Sequence, residues 1–204
     1  NTAKLRRSRQ RIQNLDFFES LVIEQVPGST PDKTVVTVDV EEKSTGSLSI
    51  GAGFSTTNGI LGDIGLREKN LLGKGQDLRL NALIAATKSQ INLSFTEPYF
   101  LDRDVAAGFD VFRIAEDRQD TSSFDTKTTG FALRAGYPFT EALAQRWKYT
   151  LERTDVTNVA VGASLSISEQ ENARTLSSIT HAISYDVRNS RLAPTEGAFA
   201  RFTT

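Results

Sequence analysis

Ser47-Leu-Ser-Ile-Gly-Ala-Gly-Phe-Ser55 is the stretch from which the rest of the chain can be read. Leu48, Ile50, Ala52 and Phe54 are all apolar, and the positions between them hold only serine and glycine. That period of two is expected of a strand with one greasy face. The other face is small and uncharged, so the strand is thin as well as amphipathic.

The same alternation recurs toward the C-terminus. Leu78, Leu80, Ala82, Ile84 and Ala86 share one parity against Asp77, Arg79 and Asn81, and Ile91, Leu93 and Phe95 oppose Gln90, Asn92, Ser94 and Thr96. Phe131, Leu133, Ala135, Tyr137 and Phe139 stand against Gly130, Arg134 and Gly136, and Trp147, Tyr149 and Leu151 against Arg146, Lys148, Thr150 and Glu152. Turn-rich breaks divide the chain into candidate strands at 47–55, 60–70, 76–86, 89–97, 104–115, 127–137, 144–155, 174–186 and 198 onward. Several have the roughly 9 to 11 residues that a tilted strand needs to cross a bilayer. Run 104–115 is mixed, because Phe112 and Ile114 break the parity of Val105, Ala107, Phe109 and Val111. Run 60–70 rests on Ile64 and Leu66 alone.

Before Ser47 the pattern differs. Leu5, Ser8, Ile12 and Leu15 fall on one helical stripe, with Lys4, Arg6, Arg7, Arg9 and Arg11 forming its solvated remainder, so an amphipathic helix is expected over 3–15. A strand from Asp16 to Val26, a turn at Pro27-Gly-Ser-Thr-Pro31 and a strand from Thr34 to Glu42 follow. Helix, strand and strand read as the second half of a small α+β module.

Composition narrows the function classes. With 24 basic and 25 acidic residues the net charge is −1, which gives no whole-chain field for nucleic acid. There is no cysteine, hence no disulfide or thiol chemistry. The absence of methionine and of a leader at Asn1-Thr-Ala-Lys4 reads as a piece of a longer protein. No apolar run approaches the roughly 20 residues of a membrane helix, so any bilayer crossing must use strands, which lipid accepts only in a closed cylinder.

Alternation alone also fits a soluble β-sandwich with one wet face. Three features favour the membrane. Arg and Lys are nearly confined to the non-apolar parity within strands; Tyr99, Phe100, Tyr137, Phe139, Trp147 and Tyr185 gather near strand ends as interfacial girdles do; and the even-numbered breaks at 71–75, 98–103 and 138–143 are compact, whereas of the odd ones the first two are short and the third and fourth, at 116–126 and 156–173, are long and polar.

Leu15-Asp-Phe-Phe-Glu-Ser-Leu-Val22, Pro27-Gly28, Val36-Thr-Val-Asp-Val-Glu-Glu42 and Thr45-Gly46-Ser47 resemble the end of the last POTRA repeat and its join to the barrel in the Omp85 superfamily. Asn70-Leu-Leu-Gly-Lys-Gly-Gln76, Glu97-Pro-Tyr-Phe100, Tyr185-Asp-Val-Arg188 and Pro194-Thr-Glu-Gly197 resemble its periplasmic turns, in the family's order. The resemblance implies a mainly β fold, a partial transmembrane antiparallel β-barrel preceded by the C-terminal half of an α+β POTRA repeat. Residues 1–43 would be the repeat, in the periplasm, and residues 44–204 the N-terminal half of the barrel, in the outer membrane of a Gram-negative bacterium. About nine of the family's roughly sixteen strands are then present, and the later Val-Arg-Gly-Phe loop of the family is absent. The function implied is assembly and insertion of outer-membrane β-barrel proteins, with unfolded outer-membrane proteins, accessory subunits of an assembly complex and membrane lipid as partners. The alternatives are an Omp85-type polypeptide secretion or import pore, and a soluble β-sandwich binding module.

Catalytic chemistry finds little footing. His181 is the only histidine, and no Gly-x-Ser-x-Gly elbow, Walker loop or His/Glu metal spacing occurs, so neither an enzyme nor a cofactor nor a metal is expected. Gly51-Ala-Gly53 and Gly73-Lys-Gly75 read as thin strand and turn, and Asp102, Arg103 and Asp104 as a solvated turn. Strand pairing is what the residues can do. Gly51 and Gly53 reduce cross-strand packing, so Ser47, Leu48, Ser49, Ile50, Gly51, Ala52, Gly53 and Phe54 are a candidate edge for receiving a client strand through backbone groups. A second candidate edge is Phe18, Glu19, Ser20, Leu21, Val22 and Ile23. Burial of Phe17, Phe18, Leu21 and Ile23 beneath the helix accounts for those side chains without a partner.

Overall fold

A computed structural model describes residues 2–30, 33–160, 171–189 and 194–204. It divides into two units, Asn1–Gly46 and Ser47–Thr204.

In the first unit, α1 (Thr2–Leu15) is followed by β1 (Phe18–Pro27) and β2 (Thr34–Glu42), which pair antiparallel as a two-stranded sheet. Asp16 takes a left-handed conformation (φ 60°) between helix and strand, a position that Asp tolerates better than most residues. The helix carries little apolar surface, and among its residues Leu5 and Ile12 are half-buried while the basic positions are exposed. Arg9 donates to the Leu21 carbonyl at 3.3 Å, and Phe17, just before β1, and Phe18, Leu21 and Ile23 on it are half-buried.

The second unit is one nine-stranded sheet. Its strands are β3 (Gly46–Ser55), β4 (Gly59–Leu71), β5 (Gln76–Ala85), β6 (Lys88–Glu97), β7 (Ala106–Asp117), β8 (Asp125–Pro138), β9 (Leu143–Thr157), β10 (Asn172–Asp186) and β11 (Phe199–Thr203). They lie in sequence order, with β3 at one end and β11 at the other. The recorded registers from β4 to β11 are antiparallel throughout. The strands expected from the alternation are present, each within two residues at either end. Of the long break expected at 156–173, residues 161–170 lie outside the described residues.

The greasy parity is the uncovered one. Leu133, Trp147, Ile179 and Tyr185 are all exposed, and the only buried hydrophobic residues among those described are Ala132 and Ala182, both on the opposite face. A second protein layer over the apolar face, as a sandwich requires, is absent among the described residues. His181 shares the apolar parity and stacks on Trp147 with ring centroids 4.1 Å apart.

The mixed run in β7 has a packing cause. Register along both edges of β7 is continuous, so no bulge shifts the parity. Phe112 faces the polar side because Gly130 lies directly across from it on β8, and a Cβ there would sit 2.6 Å from the tip of the Phe112 ring. The aromatic ring covers a glycine that has no side chain of its own to pack. Arg113 consequently points to the apolar side. With Lys127 and Arg153, it is an exception to the expected confinement of basic residues to the other parity.

Candidate functional site

The end strand β3 carries Ser47 through Phe54, and its neighbour in the sheet is β4. Its apolar side chains are among the most exposed in the sheet, with Leu48 at 64%, Ile50 at 74% and Phe54 at 75%, a range that Ile84 (70%) and Ile179 (67%) of interior strands share. Ala52 is exposed as well. On the other face, Ser49 donates from Oγ to the Gly65 carbonyl at 3.3 Å, and Leu61 touches the space above Gly53 at 3.5 Å. A Cβ at residue 51 would collide with the Asp63 carboxylate of β4. The glycine therefore does more than thin the strand, since it makes room for a charged neighbour. Among the described residues no ring contact or ion pair joins β3 to β4, nor β5 to β6 or β10 to β11, whereas β4–β5, β6–β7, β7–β8, β8–β9 and β9–β10 each have one.

Interior strands are stitched across the polar face. Arg134 on β8 crosses Gly108 of β7 to reach β6, where its Nη2 donates to Ser94 Oγ (3.0 Å), the Phe95 carbonyl (3.1 Å) and Thr96 Oγ1 (3.1 Å). Its Nε lies 3.0 Å from Asp110 Oδ2, close enough for attraction although that N–H makes no aligned hydrogen bond. Asp77 on β5 joins Arg67 of β4 and its own strand's Arg79, each at 2.8 Å. Lys88 of β6 meets Glu116 of β7 at 2.7 Å. The alternation pattern could not reveal these networks, because they depend on register between strands distant in sequence.

The second candidate edge lies on β1. Its one described pairing partner is β2, so the opposite edge is open among the described residues. Glu19, Ser20 and Val22 are exposed, while Phe18, Leu21 and Ile23 are half-buried. Ser20 donates to Glu41 Oε2 across the hairpin at 3.3 Å.

The motifs that carry the family resemblance are turn chemistry. In 70–76, Gly73 and Gly75 adopt φ near +70°, and Asn70 Oδ1 accepts the Gly75 N–H at 2.7 Å. Gln76 then donates to Glu97 Oε2 at 2.6 Å, tying this turn to the next, where Glu97 Oε1 accepts the Tyr99 N–H at 3.0 Å. Arg188 forks onto both oxygens of Asp186 at 2.8 Å, which raises the guanidinium above its ordinary value, and it lies 4.8 Å from the Phe199 ring centroid. Asn189 Oδ1 accepts from the backbone of Thr195 and Glu196. Among the described residues no group of His, Asp and Glu is placed to hold a metal.

Comparison with known proteins agrees with the architecture. The family described as the Omp85 superfamily domain matches residues 70–204. "Outer membrane protein assembly factor BamA" of Neisseria meningitidis serogroup B is 36% identical over 146 residues, 69% of this chain and 18% of that protein. The protein of the same name from Nitratidesulfovibrio vulgaris is 33% identical over 198 residues, 96% of this chain and 24% of its own length. The chain thus spans at most about a quarter of these curated relatives. Among solved structures, BamA from Haemophilus ducreyi lacking POTRA domains 1–3 superposes with a TM-score of 0.69 at 22% identity, covering 99% of this chain and 41% of that one. CdiB from Acinetobacter baumannii gives 0.57 at 12% identity, covering 98% and 40%. Both share the fold.

Proposed function

The chain belongs to the Omp85 superfamily, and from that premise we propose that it is part of an outer-membrane β-barrel assembly factor of a Gram-negative bacterium, in which β3 receives client strands. The observation that carries this reading is the asymmetry of the sheet. Interior strands are cross-linked by Arg134, Asp77 and Lys88, whereas among the described residues the side chains of β3 add to its backbone ladder with β4 only a long serine hydrogen bond and packing at glycines.

In the intact barrel, β3 meets the last strand at a seam. A strand with few side-chain contacts specifies register weakly, and the seam can open toward lipid. An unfolded client strand then adds to the exposed edge of β3 by β-augmentation. Its backbone N–H and C=O groups find partners rather than standing unpaired in hydrocarbon at several kcal/mol each. Leu48, Ile50, Ala52 and Phe54 face acyl chains during this exchange, and no covalent step or nucleotide is needed. Residues 1–43 are the end of a periplasmic POTRA repeat on this reading. Its clients are unfolded outer-membrane proteins, and accessory subunits complete the assembly complex.

The test is a cysteine scan along 47–54 in the full-length protein, with a stalled client bearing one cysteine in its terminal strand. Disulfide trapping should concentrate on 47–54. Trapping no more frequent there than along 127–137, an interior strand, removes the assignment.

A further inference from the structure

The apolar belt ends abruptly on β7, β8 and β9. Val111, Phe131 and Leu151 form one cross-strand row, and the next row outward is Arg113, Thr129 and Arg153. One row further, Lys127 stands between Ala115 and Asp155. At a strand spacing of about 4.8 Å the two arginines are roughly 10 Å apart with the Thr129 hydroxyl between them. Arg113, Lys127 and Thr129 are exposed, and the Arg153 side chain is 62% exposed. The same parity of β4, β5 and β6 carries no Lys or Arg, so the cluster is local.

The row next to the belt holds two guanidinium groups and no carboxylate. Among the described residues neither the Arg113 nor the Lys127 side chain has a hydrogen bond or ion pair. Arg153 Nε shares the Asp155 Oδ1 at 3.1 Å. The carboxylates lie further from the belt, Asp155 directly across from Lys127 and Asp117 with Asp125 one row beyond. Asp117 accepts the Gln119 backbone N–H at 3.0 Å, and Asp125 accepts from Gln119 Nε2 at 3.1 Å and Asn158 Nδ2 at 2.6 Å. Snorkelling explains one basic residue at a belt edge, but the row next to the belt sets two arginines roughly 10 Å apart with all the carboxylates further out, which leaves their belt-facing side open to an anion.

We infer that Arg113, Thr129, Arg153 and Lys127 form a docking surface for a phosphate-bearing lipid headgroup whose acyl chains lie on Val111, Phe131 and Leu151. Guanidinium groups present forked donors that match phosphate oxygens, and the ammonium adds a point charge. The headgroup meets the cations at the depth where the acyl chains end, an alignment that free phosphate cannot exploit. This inference rests on the membrane reading above for the contact with acyl chains. Under that reading, the surface belongs to the leaflet on the side of connection 118–124.

The experiment uses full-length protein in detergent, with retained lipid read by native mass spectrometry. The probes are bis-phosphorylated lipid A, the same lipid stripped of both phosphates, and millimolar inorganic phosphate as competitor. Wild type should retain the phosphorylated lipid about tenfold better than the stripped one, equivalent to one or two charge-assisted contacts. The triple variant Arg113→Gln, Lys127→Gln, Arg153→Gln should lose that preference while keeping wild-type heat-dependent migration on a gel. Equal retention of the two lipids by wild type, displacement by inorganic phosphate, or an unchanged preference in the folded triple variant overturns the inference. Client insertion into vesicles, measured in parallel, separates the two proposals. Phosphorylated-lipid preference without insertion leaves the lipid surface standing and sinks the assembly function; insertion without that preference does the reverse.

Discussion

Arg134→Met, in the full-length barrel, removes the side chain that ties β6, β7 and β8 together from the polar face. Two N–H groups on Nη2 serve three acceptors at 3.0 to 3.1 Å, and the charge lies 3.0 Å from Asp110 through Nε. With Arg134 32% exposed and Asp110 23%, water replaces part of what is lost, so the ion pair contributes about 1 kcal/mol rather than the several expected of a dry pair. Two hydrogen bonds from a charged donor add about 1 kcal/mol each after exchange with water. The variant should therefore lose about 3 kcal/mol, roughly two orders of magnitude in the folded-to-unfolded ratio. Part of that loss is Asp110 deprived of its ion-pair partner, with Arg79 still within coulombic reach, so the double variant Arg134→Met, Asp110→Leu should recover about 1 kcal/mol. The assay is urea unfolding of the refolded protein in micelles, followed by heat-dependent gel migration. A single variant within about 0.5 kcal/mol of wild type, or a double variant no better than the single, would refute the stitching argument.

Two other substitutions separate the faces and the edges. Leu133→Arg, on the exposed apolar parity near the middle of β8, should cost about 2 to 4 kcal/mol when folding is measured in lipid vesicles; a neutral result would mean the side chain never meets hydrocarbon. Gly28 donates to the Lys33 carbonyl, so along the continuous register Val22 faces β2 and Ile23 turns its N–H to the open edge. Ile23→Pro in β1 therefore removes a backbone donor from the second candidate edge, and pull-down of periplasmic partners by the full-length protein should fall if that edge is used. Undiminished capture disposes of it.

The strands and their faces were legible because period two survives wherever one face meets lipid. Ile91, Leu93 and Phe95 announce β6 almost to the residue. The same logic failed at Phe112, whose inward turn depends on Gly130, eighteen positions away and paired only through the hairpin. Asp63 beside Gly51 was equally hidden, since a glycine in sequence signals thinness but not which neighbour fills the space. Arg134 looked like any polar-face residue, because cross-sheet partners follow from register and not from local pattern. Arg113 did leave a trace, as a lone cation in the mixed run, but its row with Thr129 and Arg153 required the pairing of β7, β8 and β9.

The account stands on the apolar parity of these strands contacting acyl chains. Spin labels placed singly at 129 to 137 along β8 of the full-length protein in bilayers, read for oxygen collision rate, test this most directly. Collision should peak at 131, 133 and 135 and fall at 130, 132, 134 and 136, following the exposure of Phe131 and Leu133 against the burial of Ala132. Uniformly low rates at the odd positions, as packing under another protein layer would give, contradict it.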